Sequence, residues 1–196
     1  MTVRPATRVD IAGTSRVLAR AFHDDPVMSW IFPDAERRAA KLLRFYAIGL
    51  RTLWMRNELV FTTDDYLGAA VWAPPGKWQI SPFQLLRLVP AFLSLGGRRV
   101  GRVITTMRLI EHHHLKEPHY YLFAIGADPG AQGRGLGAAL LQPVLARCDS
   151  ERLPAYLESS NPRNITFYLR HGFRVLHEVA PPGGPPLTLM QRDVPR

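Results

Sequence analysis

The residues with the clearest chemical meaning form one run, Gln132-Gly133-Arg134-Gly135-Leu136-Gly137-Ala138. Three glycines at alternate positions leave backbone N–H groups uncovered by side chains and permit positive φ. Such N–H groups, backed by the positive end of a helix, form a cradle for a pyrophosphate-like anion. The flanking segments have the order a cradle needs. Apolar Tyr120-Tyr121-Leu122-Phe123-Ala124-Ile125 predicts a buried strand, and Leu140 to Ala146 a helix despite Pro143. A Walker A loop is excluded because no Gly-Lys-Ser/Thr follows. The dinucleotide fingerprint is met formally by Gly133, Gly135 and Ala138, with Glu158 as a distant acid. Ala127 to Ala131 intervene between strand and glycines, however, and fewer than about 70 residues remain, too few for a doubly wound sheet. The pattern Gln/Arg-x-x-Gly-x-Gly/Ala, placed after a strand and a short Pro-containing loop, is matched in place by Gln132, Gly135 and Gly137.

A second stretch runs from Asn161 to Phe173, with Tyr168 seven positions after Asn161 and Gly172-Phe173 closing it. With both stretches in this order and at this separation, the chain resembles the GCN5-related N-acetyltransferases (GNAT). Ala21-Phe22 with Asp25-Pro26, Ala70-Val71-Trp72, Glu117-Pro118, Pro154 to Glu158 and Met190-Gln191-Arg192 resemble the puromycin N-acetyltransferase-like branch, so the similarity covers nearly the whole chain. The resemblance implies an α/β fold: a mixed, mainly antiparallel sheet, splayed at its centre and flanked by helices. It implies acetyl-CoA as co-substrate. The amides of Gln132, Gly133, Arg134, Gly135, Leu136, Gly137 and Ala138 would hold the pyrophosphate, and Arg134 could add a charged contact. Backbone groups of Ile125, Gly126 and Ala127 would align the pantetheine arm like an added strand. Asn161 would contact that arm, a role compatible with capping a helix. Tyr168 would protonate the leaving thiolate.

Acetyl transfer from a thioester to an amine needs the two partners held together, a neutral amine and a stabilised thiolate. Direct attack requires no enzyme nucleophile, which suits a chain without a convincing Ser-His-Asp or Cys-His arrangement. Glu158, His119 and the Glu111–His114 group are the candidate bases. The expected acceptor is a primary amine of a small molecule, antibiotic-like if the branch resemblance extends to substrate. Two rivals stand beside it: a protein or peptide N-acetyltransferase, and a CoA-binding sensor without turnover.

The elements that must position these groups follow from patterning. Val3 to Thr7 is a first strand, Asp10 an N-cap, and Ile11 to Phe22 a helix broken at His23-Asp24-Asp25-Pro26, a loop that helps to line the acceptor site in the resembled family. Asp34 to Trp54 is a long helix. Leu59 to Thr63 and Leu67 to Trp72 are strands joined at Asp64-Asp65. Trp72 and Trp78 are assigned to packing. Ser81-Pro82 starts a helix, Pro90 and Gly96-Gly97 interrupt it, and Arg99 to His113 is the next. This helical insert, about 81–116, would shape an acceptor pocket or a subunit contact. Strands at His119–Ala127, Pro154–Ser159, Phe173–Val179 and Leu187–Gln191 complete the sheet, with a short helix from Asn161 to His171.

Length bounds the rest. A chain of 196 residues, 46% hydrophobic and 21% charged, fits a single domain over 1–196 with a sizeable core. One cysteine, Cys148, cannot pair internally and falls within a helix, which fits an inert thiol and a cytoplasmic setting. No apolar run approaches about 18 residues and no signal core begins the chain, so no membrane association is expected. The net charge of +9 is dispersed, which argues for a solvated basic face that draws in anionic CoA, not for nucleic acid. His112-His113-His114 imitates a metal cluster, but adjacent histidines point in different directions around a helix, so no metal is expected. Monomer and homodimer both remain open.

Overall fold

The computed structural model describes residues 2–81, 84 and 100–194. A seven-stranded sheet has the order β1-β2-β3-β4-β5-β7-β6, with β1 at Val3–Pro5, β2 at Val60–Thr63, β3 at Gly68–Ala73, β4 at Tyr120–Ala127, β5 at Ala155–Ser159, β6 at Phe173–Val179 and β7 at Leu187–Arg192. Every pairing is antiparallel except β4 with β5. The helices are α1 (Ile11–Ala21), α2 (Pro26–Ile31), α3 (Ala35–Thr52), α4 (Val100–His113), α5 (Leu136–Glu151) and α6 (Ile165–Arg170). This is the mixed, mainly antiparallel architecture that the sequence predicts.

Two apolar cores cover the two faces of the sheet. α1 and α3 bury Leu18, Leu42 and Leu50 against Val71, Tyr121 and Ala124. On the other face α5 buries Leu140, Leu141 and Val144 against Ala70, Trp72 and Leu122, each such side chain contributing about 1.5–3 kcal/mol of burial. β4 does not keep strict alternation. Val71 pairs with Ala124 and Trp72 with Leu122, so Phe123 is an extra, unpaired residue. Such a bulge shifts side-chain parity by one. Leu122 and Ile125 consequently share the α5 face, while Tyr121 and Ala124 share the other.

The centre of the sheet opens. The parallel β4–β5 pairing spans only Tyr120↔Ala155, Tyr121↔Tyr156 and Leu122↔Leu157. Beyond it Ile125, Gly126 and Ala127 still pair with Ala70, Ala69 and Gly68 of β3 but have no β5 partner. The splay implied by the resemblance is therefore present, and it leaves one edge of β4 free for an extended ligand.

Local signals hold with one correction. Asp34 and Asp25 cap α3 and α2, accepting from Arg37 N–H and Met28 N–H. Asp10 precedes α1 but makes no side-chain cap to that helix. Its carboxylate faces backwards, accepting from Arg4 at 2.8 and 2.9 Å, Thr7 N–H at 2.7 Å and Tyr66 Oη–H at 2.7 Å. A fixed guanidinium and a phenol outcompete a helix N–H for a buried carboxylate. Ser81 and Gln84 exchange backbone-to-side-chain bonds at 2.8 and 3.3 Å, the reciprocal arrangement that starts a helix. The expected interruptions at Pro90 and Gly96-Gly97, and Arg99 at the expected start of the next helix, lie outside the described residues.

Candidate functional site

The glycine run sits where β4 ends. Asp128 closes the strand: its N–H bonds Leu67 C=O at 2.9 Å, its carboxylate accepts from Gly130 N–H at 3.0 Å, and Arg20 of α1 holds it at 2.8 Å. Pro129–Ala131 forms one 3-10 turn, Gln132 is extended, and α5 begins at Leu136. Gly133 and Gly135 have φ of +78° and +79°, where an L side chain is strained, and among the described residues nothing lies within 4 Å of a Cβ at either position. Gly137 has a different reason for being glycine: a Cβ there would lie 2.8 Å from the Phe167 ring of α6. Among the described residues no loop or cap hydrogen bond uses the N–H of Gly133 through Ala138. The first-turn N–H groups also lack intrahelical acceptors. Open space above unpaired amides at a helix N-terminus is what a pyrophosphate requires. The Leu136 side chain is buried in the core, so only its amide can serve. Arg134 is exposed and turns back to Gly130 C=O at 3.2 Å. Gln132 is exposed.

A cavity of about 200 Å³ lies at the gap between β4 and β5. Phe22, Phe32, Phe45 and Trp54 line it from the end of α1, the α2–α3 junction, α3 and the turn after α3. Tyr121 to Ile125 line it from β4, and Leu157 to Ser160 from the β5 side. Val103, Thr106, Met107 and Ile110 contribute from α4, so the described part of the insert does reach this cavity. The bulged Phe123 packs on Trp54 with ring centroids 4.4 Å apart. Because both faces of β4 contribute, the cavity runs through the open sheet from the α1–α3 side to Tyr168 on α6.

Tyr168 lines this cavity and is buried. Burial, with Asp25 as a nearby negative charge, raises its pKa above the ordinary phenol value, so it keeps its proton at neutral pH. Asp25, also lining the cavity, accepts from Met28 N–H at 3.0 Å and from Ser160 Oγ–H. Burial raises its pKa, with those hydrogen bonds opposing. Asn161 is not in the lining. Its side chain accepts from Arg163 N–H at 3.1 Å as the cap of the 3-10 turn before α6, and Asn164 faces the cavity instead.

Of the candidate bases, Glu158, His114 and His119 come together, and Glu111 stays exposed on α4. Glu158 lines the cavity with a side chain only 3% exposed. One oxygen lies 3.1 Å from His114 Nδ1 and the other accepts from Tyr121 Oη–H at 2.8 Å. His114 Nε2 is 3.0 Å from His119 Nε2, and His119 Nδ1 is 2.6 Å from Glu117 C=O. Burial lowers the pKa of His119, partly offset by that carbonyl. Tyr156 lies beside this group. Its pKa is raised first by burial and then by the Glu158 charge, although its hydroxyl has no partner at hydrogen-bond geometry among the described residues. Trp78 stacks on His114 with centroids 3.7 Å apart, so its packing role is to clamp an imidazole, whereas Trp72 is in the core. Cys148 is buried in α5, and burial pushes its thiol up to about 12, which makes it inert.

The expectation that the His23–Pro26 loop lines the acceptor site is met at Asp25, whereas sequence reasoning missed Ser160, Asn164 and the α3 aromatics as cavity groups. Helical periodicity puts Phe45 and Tyr46 on the apolar face of α3, and only the opening of the sheet turns part of that face into a cavity wall.

Comparison with known proteins agrees with this geometry. The Acetyltransferase (GNAT) family profile matches residues 60–173, and the chain belongs to that family. It is 27% identical over 183 residues to an uncharacterised N-acetyltransferase of Schizosaccharomyces pombe, covering 88% of this chain and 74% of that one. A crystal structure from Corynebacterium glutamicum, described as histone acetyltransferase HPA2 and related acetyltransferase, superposes with a TM-score of 0.75 at 25% identity, over 100% of this chain and 97% of that one. Arylalkylamine N-acetyltransferase 2 of Aedes aegypti shares the fold, with a TM-score of 0.63 at 10% identity over 98% of each chain. The protein is thus an N-acetyltransferase, of a family that generally uses acetyl-CoA.

Proposed function

We propose that the protein transfers the acetyl group of acetyl-CoA to the primary amine of a small, largely apolar molecule. One observation carries this reading: the cavity at the β4–β5 gap is lined by both a protonated, buried tyrosine and a buried carboxylate. On this reading the amides of Gly133 to Ala138 hold the pyrophosphate and the unpaired edge of Ile125–Ala127 aligns the pantetheine. The thioester then reaches Tyr168 from one side and the amine reaches Glu158 from the other. The nitrogen lone pair attacks the carbonyl carbon, the C–S bond breaks towards sulfur, and Tyr168 supplies the proton to the thiolate. Asn161 holds the turn that carries α6, and so places Tyr168.

At about 200 Å³ the cavity is smaller than the ~300 Å³ at which small-molecule pockets usually begin, and its walls are aromatic and aliphatic. Both features support a compact amine over a peptide. The sequence motifs that resemble the puromycin N-acetyltransferase-like branch favour a small molecule as well. Thiol release from acetyl-CoA across a panel of small primary amines, peptides with free N-termini and lysine peptides tests the proposal. Turnover confined to small apolar amines is expected. Turnover on peptides alone, or tight CoA binding without turnover on any amine, would overturn it.

A further inference from the structure

The groups behind Glu158 contain a directional constraint. Glu117 C=O can only accept, so His119 Nδ1 at 2.6 Å must carry a hydrogen. In neutral His119 the Nε2 is then a lone pair. That nitrogen faces His114 Nε2 at 3.0 Å, and the contact needs one hydrogen, so His114 Nε2 must carry it. In neutral His114 the remaining nitrogen, Nδ1, is then a lone pair, and it points at Glu158 Oε1 from 3.1 Å. Two neutral imidazoles supply two hydrogens to three contacts, and the empty place falls at the cavity end.

We propose that Glu158 and His114 together are the base that takes the proton of the acceptor ammonium, and that Glu117 C=O sets this function through the tautomer of His119. The inference rests on the reading of the cavity as an amine site. With both imidazoles neutral, the Glu158–His114 contact lacks its hydrogen. The ammonium gives one proton to Glu158, and that proton completes the bond to His114 Nδ1. The freed lone pair forms the new N–C bond, and the C–S electron pair leaves with sulfur, which takes a proton from Tyr168. The second proton on nitrogen departs as the amide forms and restores Tyr168. The sum converts an ammonium and a thioester into an amide, a thiol and one proton held by the pair, which is then released to solvent.

The surroundings fit a base with one fixed acceptor site. The His114 ring is held between Trp78 and Tyr121, the latter edge-on at 4.7 Å, and cannot turn to expose another atom. Among the described residues Tyr121 and Tyr156 also face the pair, and burial and the Glu158 charge raise their pKa values, so they stay neutral. Burial keeps His119 neutral, as the directional argument requires.

Two measurements on the full chain test the inference. Nitrogen-15 NMR of the histidine rings at slightly alkaline pH reads the tautomers without any acceptor. Nδ1–H on His119 and Nε2–H on His114 are expected, and either opposite assignment overturns the proposal. The second measurement is the pH profile of kcat/KM for wild type, His119→Gln and His114→Asn, with acetyl-CoA affinity as the folding and binding control. The expected result is a loss of at least about 10-fold at neutral pH, a displaced acid limb and unchanged acetyl-CoA affinity. A folded variant of both positions that keeps the wild-type pH profile would make the cluster structural and overturn the assignment. If no amine is acetylated at all, the functional reading fails while the NMR result still decides the tautomers.

Discussion

Replacing Gly135 by alanine isolates the cradle from the rest of the fold. Gly135 is the N-cap of α5 at φ +79°, and among the described residues nothing lies within 4 Å of the added methyl. The stability cost is therefore backbone strain alone, about 1–2 kcal/mol. For a chain of this length that lowers Tm by about 2–8 °C. Binding should lose more. If strain rotates the loop so that one amide no longer meets the phosphate, one charge-assisted hydrogen bond is lost, about 1.5–3 kcal/mol. That equals about 10- to 150-fold in Kd for CoA by calorimetry. The control is Gly183→Ala in the β6–β7 loop, where φ is +67° and a Cβ also meets nothing within 4 Å. It carries the same strain without touching the cradle, so Tm should fall comparably with Kd unchanged. A folded Gly135→Ala variant whose CoA affinity stays within about twofold of wild type would refute the cradle assignment.

Tyr168→Phe keeps the ring contacts to Phe167 and Phe173, at 5.2 and 5.8 Å, and removes only the hydroxyl. Single-turnover acetyl transfer should slow by about 10²–10⁴-fold, towards the lower end because a thiolate leaves readily; an unchanged rate would make Tyr168 a packing residue. Val103→Trp should fill cavity space from α4 and raise KM for bulky amines with little change in acetyl-CoA Kd, and the reverse pattern would detach the insert from acceptor choice. Asp10→Ala should cost about 2–4 kcal/mol by urea unfolding, less than a fully buried pair because Arg4 still reaches solvent. Arg4 holds the Asp10 pKa below the ordinary carboxylate range, so its stabilisation is complete above about pH 4 and lost as pH falls below it. Wild-type stability should decline there more steeply than that of the variant, and parallel curves would contradict the assignment.

Much of this was legible in the sequence because the signals are local. Alternate glycines between a strand and a helix mark the proposed cradle, and Asn161, Tyr168 and Gly172-Phe173 mark the turn and short helix that carry the tyrosine. The strand pattern fixed the sheet's members to within a residue or two. Asp10 was misread because its partners Arg4 and Tyr66 arrive from other strands and turns, which no capping rule sees. The bulge at Phe123 was hidden because an unbroken apolar run carries no mark of a parity shift. The Glu158–His114–His119 group joins the end of α4, the residue before β4 and the body of β5, so its members could be named as separate candidates but not connected.

The central claim is that acetyl-CoA lies along the open edge of β4 with its thioester between Tyr168 and the cavity. A crystal structure of the CoA complex tests this most directly. The account predicts the pyrophosphate on the amides of Gly133 to Ala138, the pantetheine hydrogen-bonded to Ile125–Ala127, and the sulfur within hydrogen-bond reach of the Tyr168 hydroxyl. CoA bound elsewhere, or a thiol pointing away from the gap between β4 and β5, would contradict it.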